Sequence, residues 1–154
     1  MQTTHPPVRR IDHFGRQAGY AAAAGLNMIL LVVVLYLAAW DILPFLTGDF
    51  AEVVPWLAIS LLAAAAANSV YVFNDHIPVR RIGEVVTSLA TLAATYQLLA
   101  VFPFDFSAYT FDWALVTRIA LIAGMVGAVA GLLVAFVKLV SWAATPDEQP
   151  YGSR

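Results

Sequence analysis

A chain of 154 residues that is 61% hydrophobic and only 12% charged is not an ordinary soluble domain, in which about a quarter of the residues are charged. Its formal net charge of −2 provides no basic face of the kind that binds nucleic acid. Because the chain contains no cysteine, disulfides, thiol nucleophiles and thiolate-held iron–sulfur clusters are excluded. The composition predicts an integral membrane protein whose apolar surface faces lipid.

Four apolar stretches are each long enough to cross a hydrocarbon core of roughly 30 Å. They lie at about residues 17–40, 53–73, 83–102 and 113–142. The first exceeds the roughly 7–15 residues of a signal-peptide core, so we expect a retained span after the polar segment 1–16. Since lipid cannot satisfy free backbone groups and β-barrel alternation is absent, all four are predicted to be helices. The short connections between them favour antiparallel neighbours.

A basic header of seven residues occurs twice. Residues 5–11 read HPPVRRI and residues 76–82 read HIPVRRI, so six of the seven positions are identical. Each copy precedes two apolar stretches, which predicts two tandem helical hairpins, residues 17–73 and 83–142, arranged as a parallel repeat about an axis along the membrane normal. The alternative is that basic headers recur only because cytoplasmic span entries are basic. Residues 11–18, the extra length of the first copy, are a candidate interfacial helix.

The charges are divided unequally between the two sides of the predicted membrane. One side holds almost all of the basic residues, namely Arg9, Arg10, Arg16, Arg80, Arg81, Lys138 and Arg154. The opposite side holds the acids Asp41, Asp49, Glu52, Asp105 and Asp112. The positive-inside rule then predicts cytoplasmic termini and a basic cytoplasmic loop at residues 74–82. We expect the membrane to be a bacterial plasma (inner) membrane. We expect the polar tail, residues 143–154, to be disordered.

The acidic side is also rich in aromatic residues, most densely in the connection between the third and fourth spans. A candidate partner patch there consists of Phe104, Phe106, Tyr109, Phe111 and Trp113. Exposed aromatic clusters rimmed by acids mark docking sites, but an ordinary interfacial belt is the favoured alternative. Arg118 and Lys138 are 20 positions apart, about 30 Å of helix, so both are predicted to be interfacial anchors that snorkel to opposite surfaces.

Polar residues inside the spans are costly and are therefore the next candidates for function. Five of them share one arc of about 100° on the third helix: Glu84, Thr87, Ser88, Thr91 and Thr95. Three amides occupy other positions: Asn27, Asn68 and Gln97. Both sets are candidates for hydrogen-bonded contacts between helices, which we favour, or for the polar lining of a path.

Small residues mark a further candidate surface on the fourth span. Gly124, Gly127 and Gly131 lie on one helix face, and the last two form a GxxxG pair. Such faces let helix backbones approach closely, either within this chain or between copies of it.

No pattern in the chain predicts an enzyme, a cofactor or a metal site. The three histidines all lie outside the spans, and no phosphate loop or nucleophile elbow occurs. The sequence therefore favours a non-catalytic membrane subunit that contacts lipid and forms a homo-oligomer or packs on a larger membrane protein complex. The alternative is a small oligomeric channel or transporter, with the polar face of the third helix lining the path.

The predicted topology is tested by reporter fusions at Thr47 and Arg154. Because the basic residues place Arg154 inside and the first acidic connection outside, a periplasm-active reporter should work only at Thr47 and a cytoplasm-active reporter only at Arg154. Activity of one reporter at both positions would contradict the four-span topology.

Overall fold

The computed structural model describes residues 9–40, 43–74 and 76–144, with side chains from residue 14 onward. It contains four helices, α1 (Arg9–Trp40), α2 (Phe50–Phe73), α3 (Ile77–Val101) and α4 (Trp113–Ala144). All four are long and apolar enough to cross a membrane, which confirms the prediction of an all-helical integral membrane protein. The first header copy (apart from the start of α1), Asp41, Asp75 and the tail from residue 145 lie outside the described residues.

Three helices begin earlier than predicted, α2 by three residues and α1 and α3 by more. α1 begins at Arg9, so the candidate interfacial helix at residues 11–18 is the first part of one continuous helix. α3 begins at Ile77, with Pro78 in its first turn, where the missing proline N–H costs no hydrogen bond. The basic pair Arg80 and Arg81 therefore lies on a helix, and the connection predicted at residues 74–82 is reduced to residues 74–76.

The helices pack as an open row in chain order: α1 on α2, α2 on α3 and α3 on α4. No other pair packs over any length within the described part of the chain. The α1–α2 and α3–α4 hairpins are thus present, while their relation as repeats and the cytoplasmic location of the termini stay predictions. Few of the described residues are buried, and they include large side chains as well as small ones, among them Leu31, Phe50, Val53, Ala65, Tyr71, Ala94 and Ala135. Lipid takes the place of protein around the remaining apolar surface.

One end of the row, here called the basic end, contains residues 74–76 and the α3 arginines. Tyr71 near the end of α2 is only 8% exposed, and its hydroxyl donates a hydrogen bond to the Arg80 carbonyl at 3.3 Å. Its ring meets the edge of the Tyr20 ring on α1, with centroids 5.4 Å apart. Gln17 on α1 donates a hydrogen bond to the Val72 carbonyl at 3.2 Å. Tyr71 therefore connects three consecutive helices.

Gly83 makes room for this tyrosine. A Cβ atom at Gly83 would overlap the Tyr71 hydroxyl oxygen and come within 2.8 Å of Cζ. The ring cannot move freely, because it is buried and held by Tyr20 and by the Arg80 carbonyl. The close approach of α2 and α3 at the basic end therefore requires glycine at this position.

We predict that Gly83→Ala destabilises the protein by about 1–3 kcal/mol, because the added methyl displaces Tyr71 from its packed position. Gly25→Ala is the matched control, since a Cβ at Gly25 meets nothing within 4 Å and alanine is the better helix former. The measurement is the melting temperature in detergent. Equal melting temperatures for the two variants would contradict the role assigned to Gly83.

Candidate functional site

The opposite end of the row, here called the aromatic end, contains the two longer connections, which are joined to each other. Leu46 and Phe104 form an antiparallel bridge. The Thr47 N–H donates to the Pro103 carbonyl at 3.0 Å, and the Asp105 N–H donates to the Phe45 carbonyl at 2.8 Å. These bonds satisfy backbone groups that no helix satisfies. The connection of the first hairpin is thereby fixed to the connection of the second.

The end of α3 directs the chain into this joined region. Phe102 caps α3 in the left-handed conformation, with φ 46°, and its N–H donates to the Leu98 carbonyl. Pro103 follows and cannot continue the helix, and its side chain is fully buried. The Arg118 guanidinium of α4 lies over the Phe102 ring, 4.5 Å from the centroid. A guanidinium above an aromatic face is an attractive cation–π contact.

The carboxylates of Asp105 and Asp112, which precede α4, each accept a hydrogen bond from a backbone N–H group. Asp112 precedes α4, and its Oδ1 accepts a hydrogen bond from the Leu115 N–H at 2.9 Å, which is an N-cap. Asp105 Oδ1 accepts one from the Ser107 N–H at 2.9 Å. That hydrogen bond from the Ser107 backbone, helped by the Ser107 side chain, lowers the pKa of Asp105 below its ordinary value. Because its pKa is lowered, the Asp105 carboxylate is charged near neutral pH, where this hydrogen bond stabilises the folded protein. The stabilisation is lost as the pH falls through the lowered pKa.

These elements line an open surface cavity of about 500 Å³, here called the aromatic-end cavity. Its lining includes all five residues of the predicted partner patch, together with Phe102, Asp105, Asp112 and Arg118. Several rings contact each other: Phe106 stacks on Phe45 with centroids 5.6 Å apart, and Phe111 meets the edge of Trp113 at 5.0 Å. The patch is therefore part of a concave site that contains charges of both signs.

Sequence reasoning did not place Arg118 in this site. It treated Arg118 as an anchor, while the structure puts its guanidinium in the cavity with the patch. The sequence spacing could have placed Arg118 there, because Ala114 and Arg118 are four residues apart on α4 and therefore lie on the same helix face. Both residues line the cavity. Among the described residues, no ion pair joins Arg118 to Asp105 or Asp112. Lys138 is exposed near the other end of α4.

The polar stripe of α3 is satisfied mainly within its own helix. Thr87 donates to the Gly83 carbonyl at 2.8 Å, and Thr95 donates to the Thr91 carbonyl at 2.9 Å. Ser88 is partly buried, and Thr91 is exposed. Glu84 lies 3.9 Å from Arg80 and 3.4 Å from Arg81. The stripe thus ends in a local ion-pair cluster at the basic end.

Two of the three amide side chains in the predicted spans also form hydrogen bonds within their own helix. Asn27 donates to the Ala23 carbonyl and Asn68 to the Ala64 carbonyl, both at 2.8 Å. Gln97 is partly buried on α3. The two asparagine side chains therefore donate hydrogen bonds to the preceding turn of their own helix, as short polar side chains commonly do.

The glycines of α4 are uncovered. Gly124, Gly127 and Gly131 are exposed, and a Cβ built on any of them meets nothing within 4 Å. On the other flank of α4 lies an apolar groove of about 370 Å³, lined by Ile122, Met125, Val126, Val129, Ala130 and Leu133. Both surfaces are on the α4 edge of the row.

No protein-family model matches the chain, and no curated protein and no solved structure matches it either. In the described ranges, no three histidine or carboxylate residues gather as a metal site. A functional assignment therefore depends on two features: the uncovered glycine face and the aromatic-end cavity.

The N-cap at the cavity gives a direct prediction. Asp112→Ala should cost about 1 kcal/mol at the start of α4, because the Leu115 N–H loses its acceptor, and amide exchange in that turn should be about fivefold faster. Asp112→Asn keeps an acceptor oxygen and should exchange like the wild type. Hydrogen–deuterium exchange in detergent measures this, and equal rates for the alanine and asparagine variants would contradict the capping role.

Proposed function

We propose that this chain is a non-catalytic subunit that assembles inside the membrane through the glycine face of α4. The occupant of that face is a transmembrane helix, either from a second copy of the chain or from a larger membrane protein complex. The observation that carries the proposal is the open space next to Gly124, Gly127 and Gly131, where an added Cβ meets nothing within 4 Å.

The glycine face is separate from the face that α4 uses inside the protomer. Ala135 is buried and Leu121 and Ala128 are partly buried, and α3 is the helix on which α4 packs. At about 100° per residue, the glycines lie roughly a quarter turn away from that covered face. The contact with α3 therefore leaves the glycine face accessible to another helix.

Glycines at exposed helix positions lower the stability of the helix, and a contact with another helix would compensate for this loss. Each glycine in a helix interior is about 1 kcal/mol less favourable than alanine. A surface without side chains offers few van der Waals contacts to lipid, whereas it lets the backbone of another helix pack closely against it. Three glycines on one flank of α4 are consistent with a helix partner there.

The alternative function, a channel or transporter lined by α3, receives less support. The Thr87 and Thr95 hydroxyls donate to the carbonyls of their own helix, and Glu84 pairs with the neighbouring arginines. The two hydroxyl protons are therefore already donated and unavailable to a polar solute or an anion, and the charge of Glu84 is balanced by the arginines.

The test is leucine substitution on the glycine face. Gly127→Leu and Gly131→Leu should leave the protomer folded, because neither side chain meets a neighbour in it, and should shift the protein to smaller species by blocking backbone approach. Val129→Leu, on the opposite flank of α4, is the matched control. Light scattering of the detergent-solubilised protein measures the mass, and native gels of solubilised membranes measure any larger complex.

Co-purification of differently tagged copies distinguishes the two kinds of partner. Homo-oligomers should retain both tags in the wild type and lose one in the leucine variants. A hetero-complex should instead disappear from the native gel while the tags never co-purify. Unchanged species for both leucine variants in both measurements would mean that the glycines face lipid, and the proposal would fail.

A further inference from the structure

We propose that the aromatic-end cavity binds the headgroup of a zwitterionic phospholipid. In this arrangement the phosphate contacts Arg118, and the ammonium lies among the aromatic rings and the carboxylates of Asp105 and Asp112. The inference is independent of assembly through the glycine face. It follows from the position of the cavity, the two kinds of charge in its lining and its rigidity.

The cavity lies at the depth of lipid headgroups. Arg118 and Lys138 are 20 positions apart on α4, which corresponds to about 30 Å of helix, the thickness of a typical hydrocarbon core. Residues before Arg118 in α4 and the connection at 102–112 therefore stand in the interfacial layer. Phospholipid headgroups are the charged groups that form that layer.

Arg118 provides the site for the phosphate. Its guanidinium lies over the Phe102 ring, 4.5 Å from the centroid, and a cation–π contact uses none of the guanidinium N–H groups as hydrogen-bond donors to oxygen. No carboxylate within the described ranges forms an ion pair with it. A planar guanidinium with available N–H groups matches two phosphate oxygens at once.

The aromatic rings and carboxylates provide the site for the ammonium. Phe106, Tyr109 and Trp113 line the same cavity as Arg118, and aromatic faces attract cationic amines. Asp105 and Asp112 also line it, and each has one carboxylate oxygen fixed by a backbone N–H. The fixed carboxylates add direct attraction for a positive charge.

The balance of charge selects a zwitterion over an anion. Two carboxylates face one guanidinium in the lining, so a headgroup that carries only a phosphate meets a net repulsion. A headgroup with both phosphate and ammonium pairs its phosphate with the guanidinium and brings its ammonium to the two carboxylates, so each of its charges meets an opposite charge. The volume of about 500 Å³ lies in the range of roughly 300–1,000 Å³ that is usual for ligand sites.

The site is also organised before a ligand arrives. The bridge between Leu46 and Phe104 and the hydrogen bond from Thr47 to Pro103 fix the connection that contains the cavity. Little ordering is then needed on binding, which preserves affinity.

The experiment is native mass spectrometry of the purified protein with phosphatidylethanolamine or phosphatidylglycerol added in detergent. The wild type should retain phosphatidylethanolamine in preference to phosphatidylglycerol. Arg118→Gln should weaken phosphatidylethanolamine binding by about tenfold through loss of the charge-assisted hydrogen bonds. Lys138→Gln removes a basic residue at the opposite end of α4 and should bind like the wild type. Asp105→Asn keeps the acceptor for Ser107 and should reduce the preference for phosphatidylethanolamine.

Three results would overturn the proposal. Equal retention of the two lipids by the wild type would remove the selectivity argument. Equal binding by the Arg118 and Lys138 variants would show that the lipid is not held in this cavity. If free glycerophosphoethanolamine bound as tightly as the lipid, the site would serve a soluble zwitterion instead. If Arg118→Gln is no longer monodisperse, the Asp105→Asn variant still tests the proposal. An unchanged preference of that variant for phosphatidylethanolamine would contradict it.

Discussion

The constraint on which this structure depends is that a hydrocarbon phase offers no partner to a polar group. Within the spans the polar side chains meet this constraint locally. Asn27, Asn68 and Thr87 all donate to the carbonyl four residues earlier, so none of these donors needs a neighbouring helix. What remains between the helices is van der Waals packing, in which both large residues such as Val53 and small ones such as Ala94 and Ala135 are buried. Such contacts have little power to select one arrangement of helices over another.

Specific contacts are therefore concentrated at the two ends, where backbone groups leave the helices and water or headgroups begin. At the basic end, Tyr71 is held by Tyr20 and by the Arg80 carbonyl, with Gly83 making room for it. At the aromatic end, two connections share backbone hydrogen bonds. The same interfacial location places a cavity with charges of both signs where lipid headgroups are concentrated. Structural order and the candidate binding site thus arise from one physical cause.

The sequence predicts the four helices well, because apolar length alone decides that a segment spans a membrane and must be helical. It predicts the start of α3 poorly, since the arginines suggest a loop, whereas Pro78 is favourable in a first turn and the helix begins at Ile77. That the polar stripe of α3 makes contacts between helices, or lines a path, stays a prediction; in the structure, Thr87 and Thr95 donate hydrogen bonds to carbonyls of their own helix. Arg118 was separated from the aromatic patch because the joining of two distant connections, Leu46 to Phe104, has no local pattern in the sequence.

The bridge between the connections has a mechanical consequence. The two hairpins are linked covalently at the basic end by residues 74–76 and by backbone hydrogen bonds at the aromatic end, between Thr47 and Pro103 and between Phe45 and Asp105. Proteins with parallel repeats transport solutes by rocking one half against the other. Here such rocking would stretch a link at either end of the row, at about 1 kcal/mol for each hydrogen bond broken. The hydrogen bonds between the two connections therefore oppose relative motion of the two hairpins at the aromatic end.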